Sequence, residues 1–281
     1  MKSKNSRKFV RLSLTYLVIG IMFAIIIYPV LWIIGSSFNP GDSLSGSKMI
    51  PDNATLSHYK ELFDLENSDY LLWYFNSIKI SVMTMVLTVI SVSFTAYAFS
   101  RYRFVGRKNG LMTFLILLMI PNFAALIAIY VLAMRTGLLD THLGLVLLYV
   151  GGQIPMNTWL MKGYLDTIPR DLDESAKMDG AGHLRIFFQI VMPLAKPIIA
   201  VVALFSFVAP FGDFILAKIL ISSSEKYTLA VGLYSMVGKQ FGAEFTKFAA
   251  GSVLIAIPIA LLFLLLQKYF VSGLTAGGTK G

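Results

Sequence analysis

PRDLDESAKMDGAGHLRIFFQIVMPLAKP, residues 169–197, decides the fold. Apolar runs of about twenty residues, the length that crosses hydrocarbon, lie on both sides of it. The stretch itself is charged at nearly every third position and cannot lie in lipid. Asp171 reads as an N-cap for a helix over 172–179, with Glu174 at capping-box spacing. Leu172, Ala176 and Met178 or Asp179 fall on adjoining turns, giving one small, apolar face. Gly180 and Gly182 supply stops. A second, apolar helix over 184–192 ends at Pro193.

Outward from this loop the chain reads as membrane protein. Of its 281 residues 56% are hydrophobic and 14% charged, which excludes an ordinary soluble domain. Residues 1–11 carry five basic side chains and no acid, and residues 12–34 form a first span, too long for the core of a signal peptide. Residues 39–76 are polar and acidic, with a short helix expected near 57–63. Further spans are expected at 78–99, 110–134, 143–161, 197–219 and 248–267, with a tail over 268–281. Lys79 snorkels from its span end. Sixteen of the 24 basic residues fall in the N-terminus, the loop holding Arg101, Arg103, Arg107 and Lys108, the central stretch with Lys162 just before it, and the tail; six fall in the opposite loops. That bias predicts six spans with both termini in the cytoplasm. It also explains the net charge of +9 without invoking nucleic acid.

Several chemistries are absent from the pattern. There is no cysteine, and His58, His142 and His183 have no metal-ligand spacing. The segment 41–48 resembles a phosphate loop but has Ser47 where the lysine is needed. Polar residues within spans are the remaining candidates. A carboxylate at mid-bilayer costs about 2.5–3.5 kcal/mol, so Asp213 faces a wet path, a subunit contact, or a structural partner such as lysine or backbone amides. Asn122, Gln153 and Asn157 either line a polar path or bond across helices.

Glu174-Ser175-Ala176, then Gly180, then Ile190 and Pro193, resembles the EAA loop of ABC-importer permeases. That pattern is Glu-Ala-Ala, three residues, Gly, nine residues, Ile, one residue, Leu-Pro. Ser175 and Met192 are the departures here. The resemblance implies a coupling helix that docks on a cytoplasmic ATPase through Glu174, Ser175, Ala176, Asp179, Gly180, Ala181, Ile190 and Pro193.

The resemblance extends over the whole chain. Residues 96–101 (AYAFSR), 162–164 (KGY), 227–232 (YTLAVG) and 273–281 (GLTAGGTKG) are similar to MalG-type permease subunits of maltose/maltodextrin importers. It implies an all-α integral membrane protein of the type I ABC-importer permease fold, with the permease domain over 73–267. It implies a second, MalF-like permease subunit, an ATPase dimer holding ATP and Mg, and an extracytoplasmic sugar-binding protein. No cofactor is expected in this chain, and no catalytic group or metal site. The tail residues Gly277, Gly278 and Lys280 are implied to insert between the ATPase subunits. Maltodextrin is the implied cargo, and galacto- or arabinogalactan oligosaccharide the alternative. An ion-coupled secondary transporter would instead show internal repeats and ionisable residues in broken spans.

Overall fold

A computed structural model describes residues 2–42, 49–238 and 244–278, without the side chains of 2–7, 10, 122–123 and 271–278. Every regular element among them is helical. Three helices are long and apolar enough to cross a membrane: α1 (Lys2–Ser36), α3 (Tyr70–Arg101) and α13 (Phe245–Gly278). A fourth candidate is a pair bent by 80°, His183–Leu194 and Lys196–Gly212.

The breaks follow from local chemistry. The expected span over 110–134 is two helices, α4 (Arg107–Leu118) and α5 (Asn122–Arg135). Pro121 sits between them at ψ 120, outside the helical region, and brings no N–H to the turn before it. The span expected over 197–219 is likewise α10 (Lys196–Gly212) and α11 (Ile215–Leu220), separated at Asp213. Helix α6 (His142–Leu165) continues through Pro155; Thr141 caps it, its hydroxyl accepting from the Gly144 amide at 3.0 Å. The apolar segment expected over 184–192 is α8 (His183–Ile186), a π-helical turn over Phe187–Val191, and α9 (Met192–Leu194).

The chain forms two compact units. Residues 1–70 and 233–255 make the first. There α2 (Ser57–Leu62) fills the place expected for a short helix, and the imidazole Nε2 of His58 pairs with the Asn39 carbonyl at 2.9 Å. Tyr70 donates to the Gly251 carbonyl at 2.9 Å, and Lys247 pairs with Glu61 at 3.2 Å.

Residues 71–232 and 256–281 make the second unit, which holds the charged loop over 169–197. It contains two apolar clusters. One gathers Val92, Ala96, Met161, Leu165, Phe187 and Val202; the other gathers Ile80, Leu145, Val146, Tyr149, Ala217 and Leu220. Beyond the second cluster, the segment leading from α11 to α12 (Leu229–Val237) is stapled down. Trp73 Nε1 donates to the Ser224 carbonyl at 2.9 Å, and Asn76 Nδ2 donates to the carbonyls of Glu225 and Tyr227. The approach is close at Gly232, where an added Cβ would lie 2.0 Å from the Trp73 ring.

Asp140 holds the same segment from another side. It adopts φ 56, a left-handed conformation that aspartate tolerates better than most residues. Its carboxylate accepts from the amides of Ser222 and Ser223, the Ser223 hydroxyl and the Lys226 ammonium, all within 3.0 Å. Burial opposes its ionisation, but these bonds, led by Ser223, prevail and hold the carboxyl far below the usual carboxylate range.

Candidate functional site

Helix α7 (Asp171–Met178) presents three carboxylates, Asp171, Asp173 and Glu174, in its first turn, where the helix dipole favours negative charge. Asp171 is not the cap. Arg170 occupies that position, no side chain bonds there, and the expected capping box does not form. The other end matches its sequence signal. Gly180 has φ +80, its amide bonds to the Lys177 carbonyl, and the Ala181 amide reaches back to the Ala176 carbonyl at 2.9 Å. That pair of bonds is a Schellman motif, which glycine permits at no steric cost.

One face of α7 is buried and the other is free. Asp173 and Ala176, three residues apart, turn inward. Ala176 packs in the cluster with Tyr97, Ile186 and Phe187. Glu174, Ser175, Lys177 and Asp179 are exposed, and Met178 is 88% exposed. Ala181 and Ile190 are half-buried against the same cluster, while Pro193 is exposed on the rim of a cavity of about 430 Å³ that also meets Leu172. Small inward residues thus seat the helix, and an acidic, polar face looks outward.

The seat is ionic as well as apolar. Arg101 Nε lies 2.8 Å from Asp173 Oδ2, with the two side chains 5% and 9% exposed. Arg101 Nη2 donates to the Ile168 carbonyl at 3.1 Å, and Arg170 Nη2 donates to the Ser100 carbonyl at 2.7 Å. Ser100 in turn donates to Asp166 at 2.7 Å, and Asp166 pairs with Lys162. Burial pushes the Asp166 carboxyl up, but the bonds from Lys162 and Ser100 outweigh it and leave the group below its ordinary value. The end of α3, the end of α6 and α7 are therefore joined by one network. The sequence showed Arg101 only as one of a basic run and Asp173 only as a loop charge; their pairing spans 72 residues and has no local signal.

Aromatic stacking extends the seat into the π-helical turn. The Phe94 and Phe187 rings stack at 4.7 Å, and Tyr97 meets Phe187 edge-on at 5.0 Å. An extra residue per turn at such a bulge shifts the side chains after it and commonly marks a functional segment.

The polar span candidates separate. Gln153 and Asp213 line one cavity of about 870 Å³, together with Tyr149, Gly151, Gly152 and Gly212. Asp213 is fully engaged: it accepts from Tyr149 Oη at 2.7 Å and from the amides of Ala217 and Leu216 at 3.0 and 3.4 Å. It thus caps α11, and its partners are backbone amides and a phenol rather than a lysine. Asn157 is buried and donates to the Gln153 carbonyl one turn back at 3.0 Å. Asn122 opens α5; its side chain lies outside the described residues. Of the tail residues, Gly277 and Gly278 end helix α13, where a loose glycine-rich segment was expected, and Lys280 lies outside the described residues. No group of acidic or histidine side chains among the described residues could hold a metal.

The family model described as "Binding-protein-dependent transport system inner membrane component" matches residues 91–276, which include α7 and its seat. The chain is 56% identical over 276 residues to the galactooligosaccharides transport system permease protein GanQ of Bacillus subtilis (strain 168), covering 98% of each chain. It is 52% identical over 267 residues to the maltodextrin transport system permease protein MdxG of the same organism, covering 95% of each. A chain of a crystallised bacterial ABC transporter involved in the import of the acidic polysaccharide alginate is similar in structure, with a TM-score of 0.78 at 25% identity, over 92% of this chain and 95% of that one.

Proposed function

The chain belongs to the family of binding-protein-dependent transport system inner membrane components, and from that premise we propose how its parts work. It is a permease subunit of a sugar ABC importer, a multi-pass component of the cell membrane, and not an enzyme. Its partners are a second permease subunit, the ATPase subunits and an extracytoplasmic sugar-binding protein. ATP and Mg belong to the ATPase.

In this reading α7 is the coupling helix. The observation that carries it is the division of α7 into a seated face, Asp173 and Ala176, and an exposed face, Glu174, Ser175 and Asp179. The exposed carboxylates form charge-assisted bonds to the ATPase. The Arg101–Asp173 pair and the Ser100–Asp166–Lys162 chain pass its displacement to α3 and α6. The spans rock about a central path, and the cavity lined by Gln153 and Asp213 is this subunit's share of that path. The reading keeps six spans and both termini in the cytoplasm, supported by the basic-residue bias. Gly277, Gly278 and Lys280 approach the ATPase from the tail.

The cargo is an oligosaccharide. Maltodextrin is the first reading, from the likeness to MalG-type subunits; the 56% identity to GanQ favours galacto-oligosaccharide as the second. Uptake of both sugars by a strain lacking this permease, paired with affinity of the cognate binding protein for each, separates them. Loss of maltodextrin uptake with tight maltodextrin binding supports the first. Loss confined to galacto-oligosaccharide replaces it with the second. Uptake that persists without the ATPase but needs an ion gradient refutes the importer.

A further inference from the structure

Along three helices of the second unit, a layer of buried polar groups without hydrogen-bond partners separates, in sequence, residues of one apolar cluster from residues of the other. Helix α3 passes from one cluster at Ile80 to the other at Val92, and between them it carries Ser81, Thr84 and Thr88. Helix α6 passes from Val150 to Met161 and carries Gln153 and Thr158. Helix α10 leaves the first cluster after Val202, the chain joins the second at Ala217, and between them stands Ser206. The five hydroxyl residues are 0% exposed. Their oxygens, and Gln153 Nε2, are buried without a hydrogen-bond partner.

Helical Ser and Thr hydroxyls usually bond the carbonyl one turn back. Thr95 does so to Ser91 at 2.7 Å and Thr113 to Asn109 at 2.9 Å. The five hydroxyls of the layer make no such bond. Two prolines add to the demand. Pro155 and Pro210 bring no N–H to the carbonyls four residues earlier, those of Gly151 and Ser206. Buried polar groups are almost always satisfied, by protein or by ordered water.

We propose that ordered water occupies this layer, bonded to Ser81, Thr84, Thr88, Gln153, Thr158 and Ser206. The donor set selects the ligand. Hydroxyls give and accept, the amide N–H₂ gives, the freed carbonyls accept, and the six side chains carry no charge to hold an ion. Water meets all of these demands and typically makes about three such bonds per molecule. Such water also lets α3, α6 and α10 shift while their hydroxyls exchange bonds with it. That mechanical role rests on the importer reading; the water assignment does not.

X-ray radiolytic labelling of the assembled importer in lipid bilayers tests both. Met161 is 0% exposed and lies one turn from Thr158; Phe187, 3% exposed, sits inside one cluster. With each rate normalised to the unfolded chain, Met161 should label several-fold faster than Phe187, because radicals form in the adjacent water. The variant Thr84→Val/Thr88→Val/Thr158→Val should lose that excess, with an unfolding midpoint unchanged or lower. Equal labelling of Met161 and Phe187, or a midpoint raised by the valines, means a dry layer and overturns the assignment. Ser206→Ala provides the same comparison if the triple variant fails to assemble. Sugar uptake by either variant should fall several-fold with the ATPase still bound; unchanged uptake overturns the mechanical role alone.

Discussion

Arg101, the last residue of α3, and Asp173, in the first turn of α7, form an ion pair of 2.8 Å that is nearly sealed from water. Such a pair contributes little net stability relative to an apolar pair, but removing one partner strands a buried charge, at about 3–5 kcal/mol. Placement is therefore what the pair fixes: it holds the first turn of α7 against the end of α3.

Asp173→Ala and Arg101→Ala should each lower the unfolding midpoint and uncouple ATP hydrolysis from uptake. The swap Arg101→Asp/Asp173→Arg should recover part of both. Measured together, ATPase activity, uptake and midpoint distinguish coupling from simple scaffolding. If the single variants lose stability while the ratio of sugar imported to ATP hydrolysed stays constant, the pair does not transmit motion.

Glu174 is adjacent to Asp173 and faces the other way, exposed. Reversing its charge leaves the buried face of α7 untouched. Glu174→Lys should reduce copurification of the ATPase at least tenfold, with insertion of the chain in the membrane unaltered. Assembly and uptake at the wild-type level would remove Glu174 from the docking surface.

How far the sequence revealed these parts depended on range. The Gly180 stop and the exposed Glu174 are local signals, and the structure has them as expected. The face expected to gather Leu172, Ala176 and Met178 does not form: Ala176 turns inward beside Asp173, while Leu172 and Met178 stay exposed, because the Arg101 pair draws Asp173 into the seat. The helix over Tyr70–Arg101 starts well before the apolar run at 78 because Trp73 and Asn76 find partners about 150 residues away, near Ser224 and Tyr227. Hydropathy cannot register such partners. The break at Pro121 was legible as a proline, but membrane helices continue through proline at Pro29, Pro155 and Pro258, so the residue alone did not decide between kink and break. Asp213 stood out as a charge in an apolar run; its role as a cap depended on the break it helps make.

Asp140 makes the stability of the second unit depend on pH. Its folded-state carboxyl titrates below its unfolded value, so its contribution is complete above the unfolded pKa, about 3.9. It is lost progressively as pH falls below that value toward the folded pKa. Asp140→Asn keeps a side chain that tolerates positive φ and removes the titrating charge. The difference in unfolding midpoint between wild type and variant should be constant from pH 7 to about 5 and shrink as the medium is acidified further. A difference that grows on acidification would contradict the sign.

Asp213 separates two roles that the sequence left side by side. Its carboxylate accepts from Tyr149 and from two amides of α11, so three donors depend on it. Asp213→Ala strands Tyr149 Oη and uncaps a short helix, and loss of a cap alone costs about 1 kcal/mol. With its oxygen in the Oδ2 place, Asp213→Asn keeps the acceptor for Tyr149 and the Ala217 amide, removes the charge and gives up the longer bond from Leu216. If the carboxylate serves structure, Asn should give near wild-type uptake while Ala loses both stability and uptake. If the charge contacts sugar hydroxyls or the partner permease, Asn should cut uptake as deeply as Ala with the unfolding midpoint preserved. The geometry favours the first outcome, because the lone pairs nearest the helix and the phenol are already committed. Uptake and midpoint measured on the same membrane preparation, for both variants, decide between them.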